Sequence, residues 1–375
     1  DLKQNFRYVS WEGADYPDYQ NTRHNIGVAG ELQVPAWDKL DLTLSMRGER
    51  YSDFGSILTG KLGGKYTLSD QAFLRASTGT GFRAPTLSQM SKVSTLIGTS
   101  RTPAGQILSK AYAIGNPDLE PEKSHQTSLG LHLTPTQHWS MGMDFWQISL
   151  RDTFGSWSVT QIDADPALKK KFFSLLPDGT GRYDINSLNL GSLKKNGIDY
   201  YVQHRLPMDF GRLNLVLEGT HNLTSQRIAA PGQSNLSDLG IFQPSYGGLT
   251  PRNKLTFSGT LERPESGVRA AVHFMSGNTE LYPNNSLVDS AGRSVGAQYT
   301  HRVKDTLTLD VGGWLQLSRS VRLSWYVKNM ANTTPPVRYF NAMATSNSSN
   351  YPLTDTVYND YRGRVISTVI EWKIL

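Results

Sequence analysis

Eight histidines, His24, His125, His132, His138, His204, His221, His273 and His301, are the side chains best suited to proton transfer or metal binding. Their spacing argues against both. No His-Glu-x-x-His run and no close His/Asp cluster occurs. If 122–134 is a strand, His125 and His132 point to opposite faces, because side chains alternate along a strand. His132 and His138 flank an expected turn, where an interface or lumen position accounts for them. The run GTGFRA at 79–84 has the glycines of a phosphate cradle. Its spacing is wrong, and no helix is expected after it to supply a phosphate-binding N-terminus. Asp144 and Asp310 fall on polar strand faces, which a solvated lumen explains better than a catalytic dyad. With no cysteine in 375 residues, disulfide scaffolds and thiolate metal sites are excluded. The sequence is therefore not read as an enzyme, and neither a metal site nor a cofactor is expected.

The formal charge is +6, which raises the question of a nucleic-acid partner. Lysine and arginine are spread along the whole chain, and the densest cluster is Lys169, Lys170 and Lys171, too short for a basic tract. No nucleic acid is expected as partner; basic loops facing anionic lipopolysaccharide or an anionic ligand fit as well. The hydrophobic fraction is 38% and the mean hydropathy −0.42. No apolar run reaches the ~18 residues of a membrane helix. Membrane barrels escape that test, since their strands are apolar only at every second position. The counts of Gly 34, Tyr 17 and Trp 8 suit such a barrel, whose interfaces carry aromatic girdles. The opening segment 1–13 has no apolar signal core, so the chain is expected to begin inside a longer protein or to have lost its signal.

Period-two alternation is the dominant pattern. Leu255, Phe257, Gly259 and Leu261 alternate with Lys254, Thr256, Ser258 and Thr260. Leu307, Leu309, Val311 and Leu315 do so against Thr306, Thr308, Asp310 and Trp314; Trp139, Met141, Met143 and Phe145 do so against Ser140, Gly142 and Asp144. About thirteen such strands are expected, at 23–34, 39–51, 57–67, 71–82, 122–134, 138–151, 192–206, 211–224, 252–263, 267–277, 305–317, 321–330 and 361–375. Most are longer than the five or six residues usual in soluble sheets and fit tilted crossings of a bilayer.

The connections alternate as well. Short turns fall at 35–39, 67–70, 134–138, 207–211, 263–267 and 317–321. Long loops fall near 83–121, 152–191, 225–251, 278–304 and 331–360, and only the link near 52–56 breaks the rhythm. Short periplasmic turns and long outer loops are the habit of outer-membrane barrels. The one helix expected is 165–176, with Asp165 as cap and Pro166 in the first turn.

Three segments carry a resemblance to TonB-dependent outer-membrane receptors: RGERYSDFG through RASTGTGFRAPT within 47–90, GNPDLEPEKSHQTSLGLHL at 115–133, and VKNMANTTPPV at 327–337 followed by YRGRVISTVIEWKIL at 361–375. Asn116 to Ser124 has the form N-P-x-L-x-P-E-x-S, and Asn329 stands where an N-L-x-N element is usual. In physical terms Pro85, Pro117 and Pro121 end strands or shape rim turns, and Gly79 and Gly81 allow close packing or a bulge. The chain departs from the pattern in ending on Leu375 rather than an aromatic residue, and in showing neither a TonB box nor a plug.

The resemblance implies an all-β fold, a transmembrane antiparallel β-barrel with long outer loops and short periplasmic turns. About thirteen of the family's roughly 22 strands would lie in this chain. Residues 1–375 are read as the carboxy-terminal part of the barrel, without a plug domain. The implied function is TonB-dependent import of a scarce nutrient, foremost an iron–siderophore chelate, across the outer membrane of a Gram-negative bacterium. The implied partners are the TonB energy-coupling complex, the chelate, and outer-membrane lipid and lipopolysaccharide. Binding in such receptors relies on aromatic faces and arginine or tyrosine donors from the loops and upper lumen. That points to Trp157, Tyr246, Arg252, Tyr282, Tyr299, His301, Arg302, Tyr339 and Tyr351. The alternative is a passive porin-like or adhesive barrel, which differs in lacking a TonB box and plug upstream.

Overall fold

Side chains that alternate between apolar and polar can satisfy both faces only if one face meets lipid or a core and the other meets water. A computed structural model describes residues 2–6, 19–102, 105–231, 235–242, 249–282, 299–336, 360 and 362–373. In it, thirteen strands form one antiparallel meander: β1 (Asn25–Trp37), β2 (Leu40–Tyr51), β3 (Gly55–Ser69), β4 (Ala72–Arg83), β5 (Glu122–Thr136), β6 (Trp139–Gly155), β7 (Leu188–Met208), β8 (Gly211–Ile228), β9 (Asn253–Glu262), β10 (Ser266–Met275), β11 (Thr306–Gln316), β12 (Val321–Lys328) and β13 (Val365–Trp372). Each pairs with the next in sequence order, and the short strand Leu236–Ser237 adds to β8. All thirteen expected strands are present. Among the described residues, no backbone pairing joins β1 to β13.

The two faces divide as the sequence alternates. One carries exposed Ile26, Val28, Leu58, Leu129, Met143, Phe145, Phe257, Val268, Leu307, Ile366 and Ile370. An exposed apolar band of this size on a folded protein is a lipid-facing surface. The opposite face holds Arg75, Asp144, Asp199, Glu218, Thr256, His273 and Asp310, which register places in adjoining rows. Close strand approach on this inner face depends on missing side chains. A Cβ on Gly142 would meet the Tyr201 ring at 2.6 Å, and one on Gly130 would strike the Asp144 carboxylate.

The connections segregate by end. Turns of a few residues link β1–β2, β3–β4, β5–β6, β7–β8, β9–β10 and β11–β12, and longer connections link most of the strands at the other end. The β2–β3 link, residues 52–54, is the short exception that the sequence already shows. The long loops carry structure of their own. Ser94–Arg101 and Ile107–Ile114, from the β4–β5 loop, join Phe173–Leu175 and Gly181–Asn186, from the β6–β7 loop, in a four-stranded sheet. The joint between the two loops is the parallel pair Ile107–Ile114 with Gly181–Asn186.

Two helices, α2 (Val159–Ala164) and α3 (Pro166–Phe172), pack beside that sheet, with Ile162, Phe172 and Tyr183 as a small buried cluster. Asp165 caps α3 as expected, accepting from the Ala167 and Leu168 amides. The helix is shorter than the expected 165–176, because Phe173–Leu175 is recruited into the sheet. A further correction concerns 79–84: a one-turn helix, α1 (Leu87–Met90), does follow it, capped by Thr86. Gly79 and Gly81 nevertheless sit within β4 rather than at the helix start, so no phosphate cradle forms.

Candidate functional site

The site that this architecture offers is the inner wall and the mouth above it. The rim is built from the motif residues. Arg83, at the end of β4, donates two hydrogen bonds to Glu122, at the start of β5, at 2.5 and 2.7 Å. Glu122 also accepts from the Phe154 amide on β6 at 2.7 Å. One buried carboxylate thus ties three strands at their outer ends, and its three charge-assisted bonds satisfy a group that could not stand buried alone. The Asn116–Pro121 segment is clamped from both sides. Asn116 donates to the Ser187 carbonyl at 3.0 Å, and Asn189 donates to the carbonyls of Glu120 and Asp152 at 2.7 and 2.8 Å. Pro85, Pro117 and Pro121 lie outside the strands, at the rim turns expected for them.

Below the rim the inner wall is a charged lattice. Arg75 on β4 reaches across β5 to grip Asp144 on β6 with two bonds of 2.7 and 2.5 Å. Asp199 on β7 is the direct register partner of Asp144 and accepts from Thr220 at 2.7 Å. Glu218 is exposed toward the lumen, and no described lysine or arginine pairs with Asp199 or Glu218. Tyr201 hydrogen-bonds His132, and Phe73 stacks on the same imidazole at 4.5 Å. His132 is thus on the inner face, while His125 lies outward beside Thr78.

Toward β12 the wall forms a recess of about 590 Å³, lined in part by Asp199, Glu218, Lys254, His273, Asp310 and Asp360. Asp310 is its hub. It accepts from Tyr326 and from the Asn329 amide at 2.8 Å, and stands 3.3 Å from His273. His273 is also 3.0 Å from the Thr256 hydroxyl. At the recess mouth, Arg362 and Lys328 both bond Asp360, at 2.7 and 3.0 Å, and hold its carboxyl well below the usual carboxylate range. Among the described residues, no group of three His, Asp or Glu side chains is arranged to hold a metal.

Of the nine residues expected at a ligand, those that are described are dispersed. Tyr282, Tyr299, His301 and Arg302 share one ribbon in the β10–β11 loop, made by Asn278–Tyr282 and Tyr299–Val303. Tyr282 pairs with Tyr299 in register, His301 with buried Glu280, and Arg302 with Thr279. Arg302 is exposed and 3.9 Å from Asp305. Arg252 is exposed at the rim between β8 and β9. Trp157 is partly buried against the Ile162, Phe172 and Tyr183 cluster, where it packs the outer loops. Tyr246, Tyr339 and Tyr351 lie outside the described residues. Sequence reasoning did not single out Arg75, Glu218 or Asp199, and it named His273 only among the eight scattered histidines. Continuing the alternation through each strand would have placed them on the polar face, but only register shows which of them meet.

The sequence matches the family model described as "TonB dependent receptor-like, beta-barrel" over residues 2–329. No curated protein matches the chain. Similar solved structures include a mutant of the ferric enterobactin receptor from Pseudomonas aeruginosa, at TM-score 0.68 and 16% identity, covering 97% of this chain and 47% of that one. The siderophore receptor PirA from Acinetobacter baumannii gives 0.66 and 16%, covering 96% and 47%. The outer membrane transporter YddB from Escherichia coli gives 0.66 and 9%, covering 96% and 46%. The chain spans about half the length of these structures. At such identities the similarity shows the fold.

Proposed function

Because the chain belongs to the family of TonB-dependent receptor-like β-barrels, we propose that it forms barrel wall and mouth for energy-coupled import of a scarce nutrient, foremost an iron–siderophore chelate. The family is one of receptors and transporters, not an enzyme class, and its members are proteins of the Gram-negative outer membrane. The observation that carries the reading is the family match along most of the chain. The geometry supports it: a lipid-facing apolar band, a charged inner wall, and most of the long loops gathered at one end. Two of the neighbouring structures are siderophore receptors, which supports the chelate as cargo.

In this reading residues 1–375 supply barrel and loops only. Coupling to TonB would act through a plug domain held inside the barrel. The chelate would first meet the outer loops, with Arg252, His301 and Arg302 as donors and Tyr282, Tyr299, Tyr246, Tyr339 and Tyr351 as the aromatic candidates. Trp157 would serve by holding the β6–β7 loop in shape.

The test is uptake of radiolabelled iron by cells that carry the complete gene, with and without functional TonB, across a panel of siderophores. Accumulation of one chelate only when both the gene and TonB are present is the expected result. Entry that persists without TonB would make the protein a passive pore. A correctly inserted barrel that transports none of the chelates would remove iron as the cargo.

A further inference from the structure

The outward face of β4 to β7 changes chemistry over four consecutive register rows. Ala76, Leu129, Phe145 and Ile198 form an apolar row, with Leu129 56% and Phe145 42% exposed. The next row toward the loops is Thr78, Thr127, Gln147 and Asn196. Beyond it come Thr80, His125, Ser149 and Lys194, and then Phe82, Lys123, Arg151 and Ser192. At the opposite end the same outward face finishes on Leu133, Trp139 and Leu206, so the charge is confined to the loop end.

The cations are neighbours. Lys123 and Arg151 are direct register partners, about 5 Å apart at Cβ, and Lys194 lies on a diagonal from Arg151 at about 7–8 Å. Glu120 and Asp152 approach Lys123 at 3.3 and 3.6 Å. No described carboxylate pairs with Arg151 or Lys194, and both are exposed. From the last apolar row to Lys194 is four residues, about 13 Å along a strand and somewhat less in height once the strand is tilted. That is where the head groups of lipids lie when their chains cover Leu129 and Phe145. Two uncompensated cations there, beside the hydroxyls of Ser149 and Ser192, attract phosphate in a membrane whose surface potential is negative.

We propose that Arg151 and Lys194, with Lys123 behind them, bind the phosphate-bearing head group of an outer-leaflet lipid on the barrel's outer wall. The site is separate from the cargo path, since these positions are on the outward face and the candidate recess lies on the inner one. The proposal requires that the chain span the outer membrane with its loop end outside.

Native mass spectrometry of the complete protein, purified from outer membranes in detergent and stripped of lipid, tests this with bis-phosphorylated lipid A and its dephosphorylated form as probes. The wild type should retain the phosphorylated probe and release the dephosphorylated one. Arg151→Gln with Lys194→Gln should weaken retention about thirtyfold, whereas Arg151→Lys with Lys194→Arg should keep it. Inorganic phosphate should not compete. Equal retention of the two probes by wild type, full retention by the glutamine variant, or displacement by inorganic phosphate overturns the assignment. The comparison of probes on wild-type protein stands even if the glutamine variant fails to assemble.

Discussion

At the scale of single residues, the outer loops hold a pair of groups whose protonation should set the pH range over which the loop unit keeps its shape. Tyr183 donates to Asp163 at 2.8 Å, and Lys169 bridges the same carboxylate at 2.9 Å. Lys169, with Tyr183 assisting, lowers the Asp163 carboxyl below its ordinary value of 3.8. Burial, and then the carboxylate beside it, pushes the Tyr183 phenol up to about 12. A depressed carboxyl adds stability above its unfolded value and loses it as pH falls through the folded one. A raised phenol adds stability that is complete below about 10 and is lost as pH rises through about 12. Protease protection of the β6–β7 loop is therefore expected to hold between about pH 4 and 10 and to weaken outside those limits. Tyr183→Phe should abolish the alkaline weakening while leaving the acid limb that Lys169 maintains. An alkaline loss of protection that survives in Tyr183→Phe would assign it to another group.

At the scale of elements, the strands were legible because lipid on one side and water on the other force strict alternation. The ends were less so. β7 begins at Leu188 rather than 192, and β6 runs to Gly155 rather than 151. Beyond the membrane both faces meet water or loops, and the contrast that marks a strand disappears. The same reason hid Ser94–Arg101, where Leu96 and Ile97 are adjacent rather than alternate. Short motifs were legible as motifs but not as contacts: the Arg75–Asp144 pair spans 69 residues, and only register brings it together. The NMAN element shows what such a motif does. Asn329 and Asn332 both have positive φ, at 51° and 53°. The Asn329 side chain closes on Thr333 at 2.8 and 2.9 Å, and the Asn332 side chain accepts the Arg364 amide at 2.9 Å. This seats β13 against the end of β12. Gly363, at φ +73°, makes the turn, and a Cβ there would lie 2.8 Å from the Asn332 acceptor. Gly363→Ala should cost about 1–2 kcal/mol in backbone strain alone. It should lower the urea midpoint of the barrel and speed amide exchange at Arg364. An unchanged midpoint and exchange rate would mean that Asn332 does not anchor the strand.

At the scale of the whole molecule, cargo capture and lipid binding depend on which end of the sheet faces outward. The inner and outer faces follow from register, but the end-to-end direction rests on loop length: turns such as 209–210 against connections such as 156–187, which carry helices and strands of their own. Tight turns suit the side where the chain threads back during assembly, and large structured loops suit the side that meets ligand. Binding of cargo at the outer mouth and of lipid phosphate at Arg151 and Lys194 both require the loop end to lie outside. The chain's composition makes this orientation open to direct test, since none of its 375 residues is cysteine and an introduced thiol is the only one among them. Lys170 is exposed on α3 in the β6–β7 loop, and Asp209 is exposed in the β7–β8 turn. Neither side chain takes part in the rim clamp or the inner lattice. In intact cells, a membrane-impermeant maleimide should label Lys170→Cys within minutes and leave Asp209→Cys unlabelled until the outer membrane is permeabilised. The reverse pattern would invert the molecule. The recess beneath Asp360 and the phosphate patch would then face the periplasm, where neither cargo capture nor the outer-leaflet lipid could use them.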